Sequence, residues 1–252
     1  MVNQVITITT VNMVNTTQTN MIVNLSGKLA ALIVMLISAI LLALALPHTQ
    51  TAFNHLTVST AIDKINEHEE LDTDKLNELI ETTQANLANL DNPHYWDDLS
   101  QLKLHKWQND FDLSEEDKQS LLVETKKTIE QSLLRSPSNA SQWHRLAILK
   151  LLLNESREQI VKTLMMSVLT GPNEAAILLP RINLGLMLHS YFTNEDAETF
   201  SEQLVIAWSL SPPDFISTVA NDPQMMDTVR TLLEKQHSLV LEEMEEAIEK
   251  TD

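Results

Sequence analysis

The residues of this chain best suited to bind a metal are its eight histidines, but their spacing forms no helical metal motif. No histidine has a second histidine three or four residues away, the spacing that places two imidazole rings on one face of a helix. His68 is the strongest single candidate because Glu67, Glu69 and Glu70 flank it. Consecutive residues of a helix point in different directions, so these side chains would not converge on one ion. We therefore predict no metal site and no cofactor.

A second candidate for ion chemistry is the acidic stretch of residues 110–117, which resembles the start of a calcium-binding loop. In such a loop the sixth position is glycine and the twelfth is a bidentate carboxylate. Here these positions hold Glu115 and Leu121, so the loop would lack both its tight turn and its last ligand. Ser114, with Asp117 three residues later, is instead typical of a helix N-cap. We predict that Ser114 caps the helix that follows, and that Asp72-Thr73-Asp74 offers the cap of an earlier helix.

Glycine is scarce, and this scarcity limits the catalytic classes. The chain has only Gly27, Gly171 and Gly185, whereas phosphate-binding loops need two or three glycines within a few residues. The Gly-x-Ser-x-Gly elbow of serine hydrolases is absent for the same reason. A pair of carboxylates that cleaves glycosides is not excluded, because such a pair is defined by its separation in space and not by its spacing in the sequence. We predict that the protein is not an enzyme, with a polysaccharide-modifying enzyme as the remote alternative.

The chain is strongly acidic, with a net charge of −18, and the charge is unevenly distributed. All 35 acidic residues follow residue 62, and only one of the 17 basic residues precedes it. Such a surface repels nucleic-acid backbones and anionic lipid headgroups. There is no cysteine, so neither a disulfide framework nor a thiolate metal site can form. We predict no nucleic-acid partner.

The apolar stretch of residues 29–46 contains one polar side chain, Ser38, and no charge. A helix of its eighteen residues extends about 27 Å, close to the ~30 Å hydrocarbon core of a bilayer. We predict a transmembrane helix over residues 28–47, preceded by a mobile polar tail over residues 1–27. A cleaved signal peptide is the alternative, because Ala43-Leu44-Ala45 has the form of a cleavage site.

The charges that flank this span predict its orientation. Lys28 and the amino terminus are the positive groups before it, and Asp63 and Lys64 are the first charges after it. Positively charged flanks tend to stay in the cytoplasm. We therefore expect a single-pass protein of the bacterial inner membrane, with a cytoplasmic N-terminus and a periplasmic C-terminal domain.

Beyond the span the composition predicts an all-α protein. Leu, Glu, Gln, Lys, Ala and Met dominate after residue 70, and these residues lose little rotamer freedom in a helix. Pro93, Pro137, Pro172 and Pro212 mark helix ends at intervals of 44, 35 and 40 residues. These intervals are near the tetratricopeptide period of about 34 residues. We predict an α-solenoid of irregular tetratricopeptide-like helical hairpins.

We divide the chain after the span into three parts. They are a tether and juxtamembrane helix over residues 48–70, the helical repeats over residues 71–213, and a C-terminal capping helix with an acidic tail over residues 214–252. The last part carries an apolar stripe, predicted on one long helix, formed by Met226, Val229, Leu233, Val240, Met244 and Ile248. The stripe is expected to cover the open end of the solenoid, with self-association as the alternative.

The repeat also shows an internal signature. Trp143, Leu146 and Ala147 stand where the tetratricopeptide pattern has Trp-x-x-Leu-Gly, and Pro172 stands at its closing proline. A small residue lets the two helices of a hairpin approach, and proline ends the second helix. One repeat cannot bury its own apolar face, so we expect three or four to stack.

The stretch that follows holds the least typical residues. Gly171 suits a left-handed helix end and Asn173 can cap the next helix. Pro180 must kink that helix or open a new one. Arg181 would then lie in a first helical turn, where its charge opposes the macrodipole and needs an anion. That anion is either Glu174 or a group of another protein, and we name Arg181, Asn173 and Glu174 as candidate partner contacts.

Three strings in this region, residues 138–147, 164–174 and 179–181, resemble the VpsP-type polysaccharide biosynthesis proteins. Those are bacterial single-span membrane proteins with tetratricopeptide-like domains, encoded beside exopolysaccharide synthesis and export genes. The similarity covers residues 120–212, and its most specific part is Ser167-Val168-Leu169-Thr170-Gly171-Pro172-Asn173-Glu174. It implies no catalytic role for any matched residue.

The resemblance implies a scaffold that binds other membrane or periplasmic proteins of a polysaccharide synthesis or export complex, and so acts in biofilm matrix formation. The alternative with the same layout is a general envelope assembly factor or chaperone adaptor. Neighbouring genes for glycosyltransferases, polymerases and export channels would favour the first hypothesis.

Overall fold

The computed structural model describes the backbone of residues 2–67, 69, 71–219 and 222–249, with side chains described from residue 30 onward except at 47 and 48. His68 and Glu70, the core of the candidate metal cluster, lie outside the described residues. Within the described part of the chain every regular element is helical. The helices in chain order are α1 Val2–Asn66, α2 Thr73–Asn89, α3 Pro93–Asn109, α4 Glu115–Arg135, α5 Ala140–Leu152, α6 Arg157–Thr170, α7 Ala175–Leu188, α8 Asn194–Leu210, α9 Pro212–Val219, α10 Pro223–Leu233 and α11 Ser238–Glu249, with a 3₁₀ turn at His189–Tyr191.

Local signals define the helix ends as the sequence predicts. Asp72 caps α2 by accepting from the Lys75 backbone N–H at 3.3 Å, and Ser114 caps α4 by accepting from the Asp117 N–H at 3.1 Å. The helix α4 stops before Pro137 and α6 stops before Pro172, because a proline has no N–H to continue the hydrogen-bond ladder.

The structure divides into two compact units, Met1–Asn54 and His55–Asp252. The first unit is the N-terminal part of α1, in which the side chains of residues 30–46 are exposed. Among the described residues, α1 is the one helix that is long and apolar enough to cross a membrane. A fully exposed apolar helix surface of this kind is suited to hydrocarbon rather than to water.

The backbone of α1 does not follow the predicted boundaries. Residues 2–27, predicted as a polar tail, and residues 48–66, predicted as a tether leading into a separate helix, both continue the same helix as the apolar stretch. Once a helix has formed, each added residue gains one hydrogen bond, so a stable apolar segment can propagate into flanks of low intrinsic propensity.

The second unit packs successive helices against each other around three apolar clusters of described residues. The most extensive helix contacts join α3 to α4 and α5 to α6. Short loops connect these pairs, which is the arrangement of a helical hairpin. The largest core cluster spans α5 to α11, with Ile160, Leu164, Ile182, Phe200 and Leu204 at its centre.

The C-terminal stripe lies on two helices, and the prediction of one long helix was wrong. The helix α10 ends at Leu233 and α11 begins at Ser238. This break folds α11 back onto α10, where the Arg230 Nε donates to Glu245 Oε1 at 2.6 Å. Met244 is fully buried as a result, because two short helices can each turn an apolar face to the core where one straight helix could not.

Candidate functional site

Arg181 is fully buried, so the prediction that it contacts a partner protein was wrong. Its Nη1 donates to Oε1 of Gln203 at 2.7 Å, and its Nη2 donates to the backbone carbonyl of Gly171 at 3.1 Å. Gln203 is buried as well. Arg181 therefore joins α7 to α8 and to the end of α6 from inside the protein.

The local reasoning about Arg181 also differs from the structure. Pro180 lies inside α7, so Arg181 is in the middle of that helix and the first-turn dipole argument does not apply. Burial lowers the pKa of Arg181 to about 10, and the charge of Glu174 acts in the opposite direction. The N-cap of α7 is Glu174, without a side-chain cap bond, and Asn173 is not the cap.

Glu174 and Gly171 have packing roles. Glu174 Oε1 accepts from the Ser141 hydroxyl at 2.5 Å, which ties the start of α7 to α5. Gly171 has φ of −157°, so the predicted left-handed helix end was wrong. A Cβ on Gly171 would lie 2.7 Å from Ala140 Cβ, so what this position requires is small size.

His144 is a buried titratable group beside this network. Its ring donates to the backbone carbonyl of Pro180, and burial, with the nearby charge of Arg181, lowers the pKa of His144 to about 4. The ring is therefore neutral at neutral pH and holds α5 against the proline-bearing helix α7.

The other signature residues lie on α5 or just after α6. Leu146 and Ala147 are in the core, and the half-buried Trp143 donates from Nε1 to the Pro137 carbonyl at 2.8 Å. Pro172 follows the end of α6 and is exposed. These residues position the helices, and Trp143 also lines a groove.

That groove lies across α4, α5 and α6 and has a volume of about 430 Å³. We call it the lysine groove, because three lysines line it. Its lining residues are Lys126, Glu130, Trp143, Lys150, Glu155, Gln159, Lys162, Thr163 and Met166. Three ammonium groups in one groove are unexpected in a protein with a net charge of −18. Sequence reasoning missed this groove because its lysines come from three helices with no common spacing.

The three lysines differ in how their charges are compensated. Lys126 Nζ lies 2.5 Å from Glu155 Oε1 and 3.9 Å from Glu130 Oε1. Lys150 Nζ donates to the Thr163 hydroxyl at 2.9 Å. Among the described residues, neither Lys150 nor Lys162 forms an ion pair. The lysine groove thus holds two ammonium groups that form no ion pair, Lys150 and Lys162, beside Trp143 and Met166. Its two carboxylates, Glu130 and Glu155, lie next to Lys126.

A second polar cluster lies between α1 and α3. His55 Nδ1 is 3.3 Å from Asp98 Oδ2, and neither atom has a hydrogen-bond partner. Burial, with the neighbouring charge of Asp97, raises the pKa of Asp98 to about 6. Burial and His94 lower the pKa of His55. Asp97 itself is held by Arg145 of α5.

The described side chains include no group of three or more His, Asp or Glu residues placed to hold a metal ion. Comparison with models of known protein families gives no match for the chain, and no curated protein matches it.

Proposed function

We propose that this protein is a membrane-anchored, non-catalytic scaffold that acts in bacterial exopolysaccharide synthesis or export. In this proposal α1 anchors the chain in the inner membrane, residues 71–213 form a tetratricopeptide-like solenoid in the periplasm, and residues 214–252 cap its open end. The solenoid binds other membrane or periplasmic proteins of the complex.

The observation that carries the docking role is the lysine groove. Lys150 and Lys162 are ammonium groups without ion pairs in an acidic protein, and they flank the apolar surface of Trp143 and Met166. A binding surface that combines an aromatic residue with uncompensated charges is suited to a partner of opposite charge. We infer that the lysine groove binds an acidic protein segment.

The polysaccharide context rests on the resemblance of residues 120–212 to the VpsP-type proteins. The layout of one apolar N-terminal helix followed by an all-helical unit is what that resemblance implies. Two residues of the resembling strings contribute to these features. Trp143 lines the lysine groove, and the backbone carbonyl of Gly171 accepts a hydrogen bond from the buried Arg181.

The test is a deletion strain complemented with the wild-type chain or with Lys150→Glu/Lys162→Glu. We expect the deletion to reduce secreted polysaccharide while sugar-nucleotide levels stay normal, and the groove variant to restore little secretion. The exposed Lys127→Glu, adjacent to the groove on α4, is the matched control and should restore secretion. Normal polymer from the deletion strain would contradict the polysaccharide role and favour the general envelope adaptor.

A second candidate is the polysaccharide-modifying enzyme, and one observation favours it. Asp98 combines a pKa of about 6 with a 3.3 Å contact between its Oδ2 and His55 Nδ1. A carboxyl with a perturbed pKa is typical of catalytic sites. Asp98 does not line the lysine groove. If the protein were such an enzyme, Asp98→Asn would abolish polymer modification without changing protein levels.

A further inference from the structure

The outward face of α11 carries a dense acidic surface with one apolar residue. Glu242 and Glu243 follow Leu239 by three and four residues, and Glu246 follows them by four and three, which places all four on one side of a helix. All four are exposed, and Leu239 is 80% exposed. Met244 is buried and fixes the opposite side of α11 to the core. We call these four residues the acidic face.

The acidic face and the lysine groove are complementary in both charge and polarity. Of the three lysines in the groove, Lys126 is compensated by the two glutamates that also line it, which leaves Lys150 and Lys162 without ion pairs beside Met166, a residue that is 37% exposed. The acidic face has three glutamates around Leu239. The helix α11 contains five glutamates and no basic residue. The two unpaired ammonium groups of the groove therefore match the exposed carboxylates of the acidic face.

One copy of the chain does not bring the two surfaces together. In the structure α11 packs on α10, and no residue of α11 lines the lysine groove. The contact of Arg230 with Glu245 and the burial of Met244 hold α11 in that place. A second copy can supply the acidic face without any rearrangement of α11.

We propose that α11 of one copy docks its acidic face into the lysine groove of a second copy in the same membrane. This inference rests on the docking role of the groove and names its occupant. Exposed ion pairs are individually weak, so the contact is weak between free molecules. Anchoring both copies in one bilayer raises their effective concentration and makes a weak contact populated.

Disulfide trapping tests this contact directly, because the chain has no cysteine of its own. Full-length Lys162→Cys and Glu243→Cys copies with different tags are placed together in phosphatidylcholine vesicles and mildly oxidised. We expect the mixed disulfide to form at least about tenfold more than with Lys127→Cys in place of Lys162→Cys. Lys127 is exposed and lies on α4 outside the groove. Equal trapping at both positions, or none, overturns the proposal.

Charge reversal separates specific docking from misfolding. Adding Lys150→Glu to the Lys162→Cys copy should lower the mixed disulfide about fivefold, and adding Glu242→Lys to the other copy should recover it. The proposal is overturned if Lys150→Glu leaves the yield of mixed disulfide unchanged, or if Glu242→Lys does not recover a yield that Lys150→Glu has lowered. If groove variants impair secretion but vesicles give no mixed disulfide, the scaffold role stands and its partner is a different protein.

Discussion

Arg181 of α7 donates across 2.7 Å to the side-chain carbonyl of Gln203 on α8, and both residues are closed off from solvent. The contact joins two helices through a buried charge whose second donor bonds the Gly171 carbonyl. Removal of one partner leaves the other buried without a hydrogen bond, so this pair makes the helix packing specific as well as stable.

We expect Arg181→Met to lower the free energy of unfolding by about 1–3 kcal/mol, because Gln203 and the Gly171 carbonyl lose their donor. Arg181→Ala should cost more, since it also leaves a cavity. Urea denaturation of the full chain in detergent, followed by circular dichroism, measures both. The exposed Lys127→Met is the control and should change stability by less than about 0.5 kcal/mol. Equal stability of Arg181→Met and the wild type would contradict the buried pair.

Gly185 of α7 packs against the ring of Phe200 on α8 so closely that an added Cβ would lie 2.1 Å from two ring carbons. We expect Gly185→Ala to destabilise the fold by about 1–3 kcal/mol or more, because a methyl group forces the helices apart. Phe200→Leu should recover part of this loss in the double variant, a non-additivity that thermal unfolding can detect. Additive effects would argue against direct contact.

Asp98 makes the stability of the fold depend on pH, and the sign of this dependence follows from its raised pKa of about 6. The folded protein holds this proton more tightly than the unfolded chain, so the group favours folding below about pH 4, and that contribution is lost as the pH rises through 6. Asp98→Asn stays neutral at every pH. Its stability should exceed that of the wild type by about 1–2 kcal/mol at pH 7.5, after allowance for solvent screening, and match it near pH 4.

Unfolding measured at the two pH values checks this prediction, with the exposed Asp112→Asn as control. The groups that face Asp98 are His55, Tyr95, His94, Asp97 and Arg145. A stability difference that is the same at both pH values would show that Asp98 has an ordinary pKa in the fold.

His144 makes stability depend on pH in the opposite direction to Asp98. Its pKa falls to about 4 in the folded protein, so the unfolded chain gains a proton first and stability decreases as the pH falls from 6.5 to 4. We expect the wild type to lose about 2–3 kcal/mol relative to His144→Gln over this range. Nuclear magnetic resonance of the His144 ring should show no titration between pH 7.5 and pH 5. A ring that titrates near 6.5 would exclude its burial as a neutral donor to Pro180.

The sequence by itself determined the features that depend on neighbours within a few residues. The apolar helix at residues 29–46, the all-helical character, the caps at Asp72 and Ser114 and the helix ends before Pro137 follow from local hydrogen bonding and side-chain entropy. The sequence does not decide which of two adjacent aromatic residues of α3 turns inward: Tyr95 is buried, whereas Trp96 is half-buried.

Only the tertiary structure decided which residues meet across the chain. Arg181 and Gln203 are 22 residues apart, and the lysines of the groove come from α4, α5 and α6. No periodicity encodes such pairs, because each depends on how far helices approach and rotate, which is set by the packing of the whole core. For the same reason the sequence left open whether Arg181 bonds within the chain or with another protein, whereas the structure shows it bonded to Gln203 and to the Gly171 carbonyl.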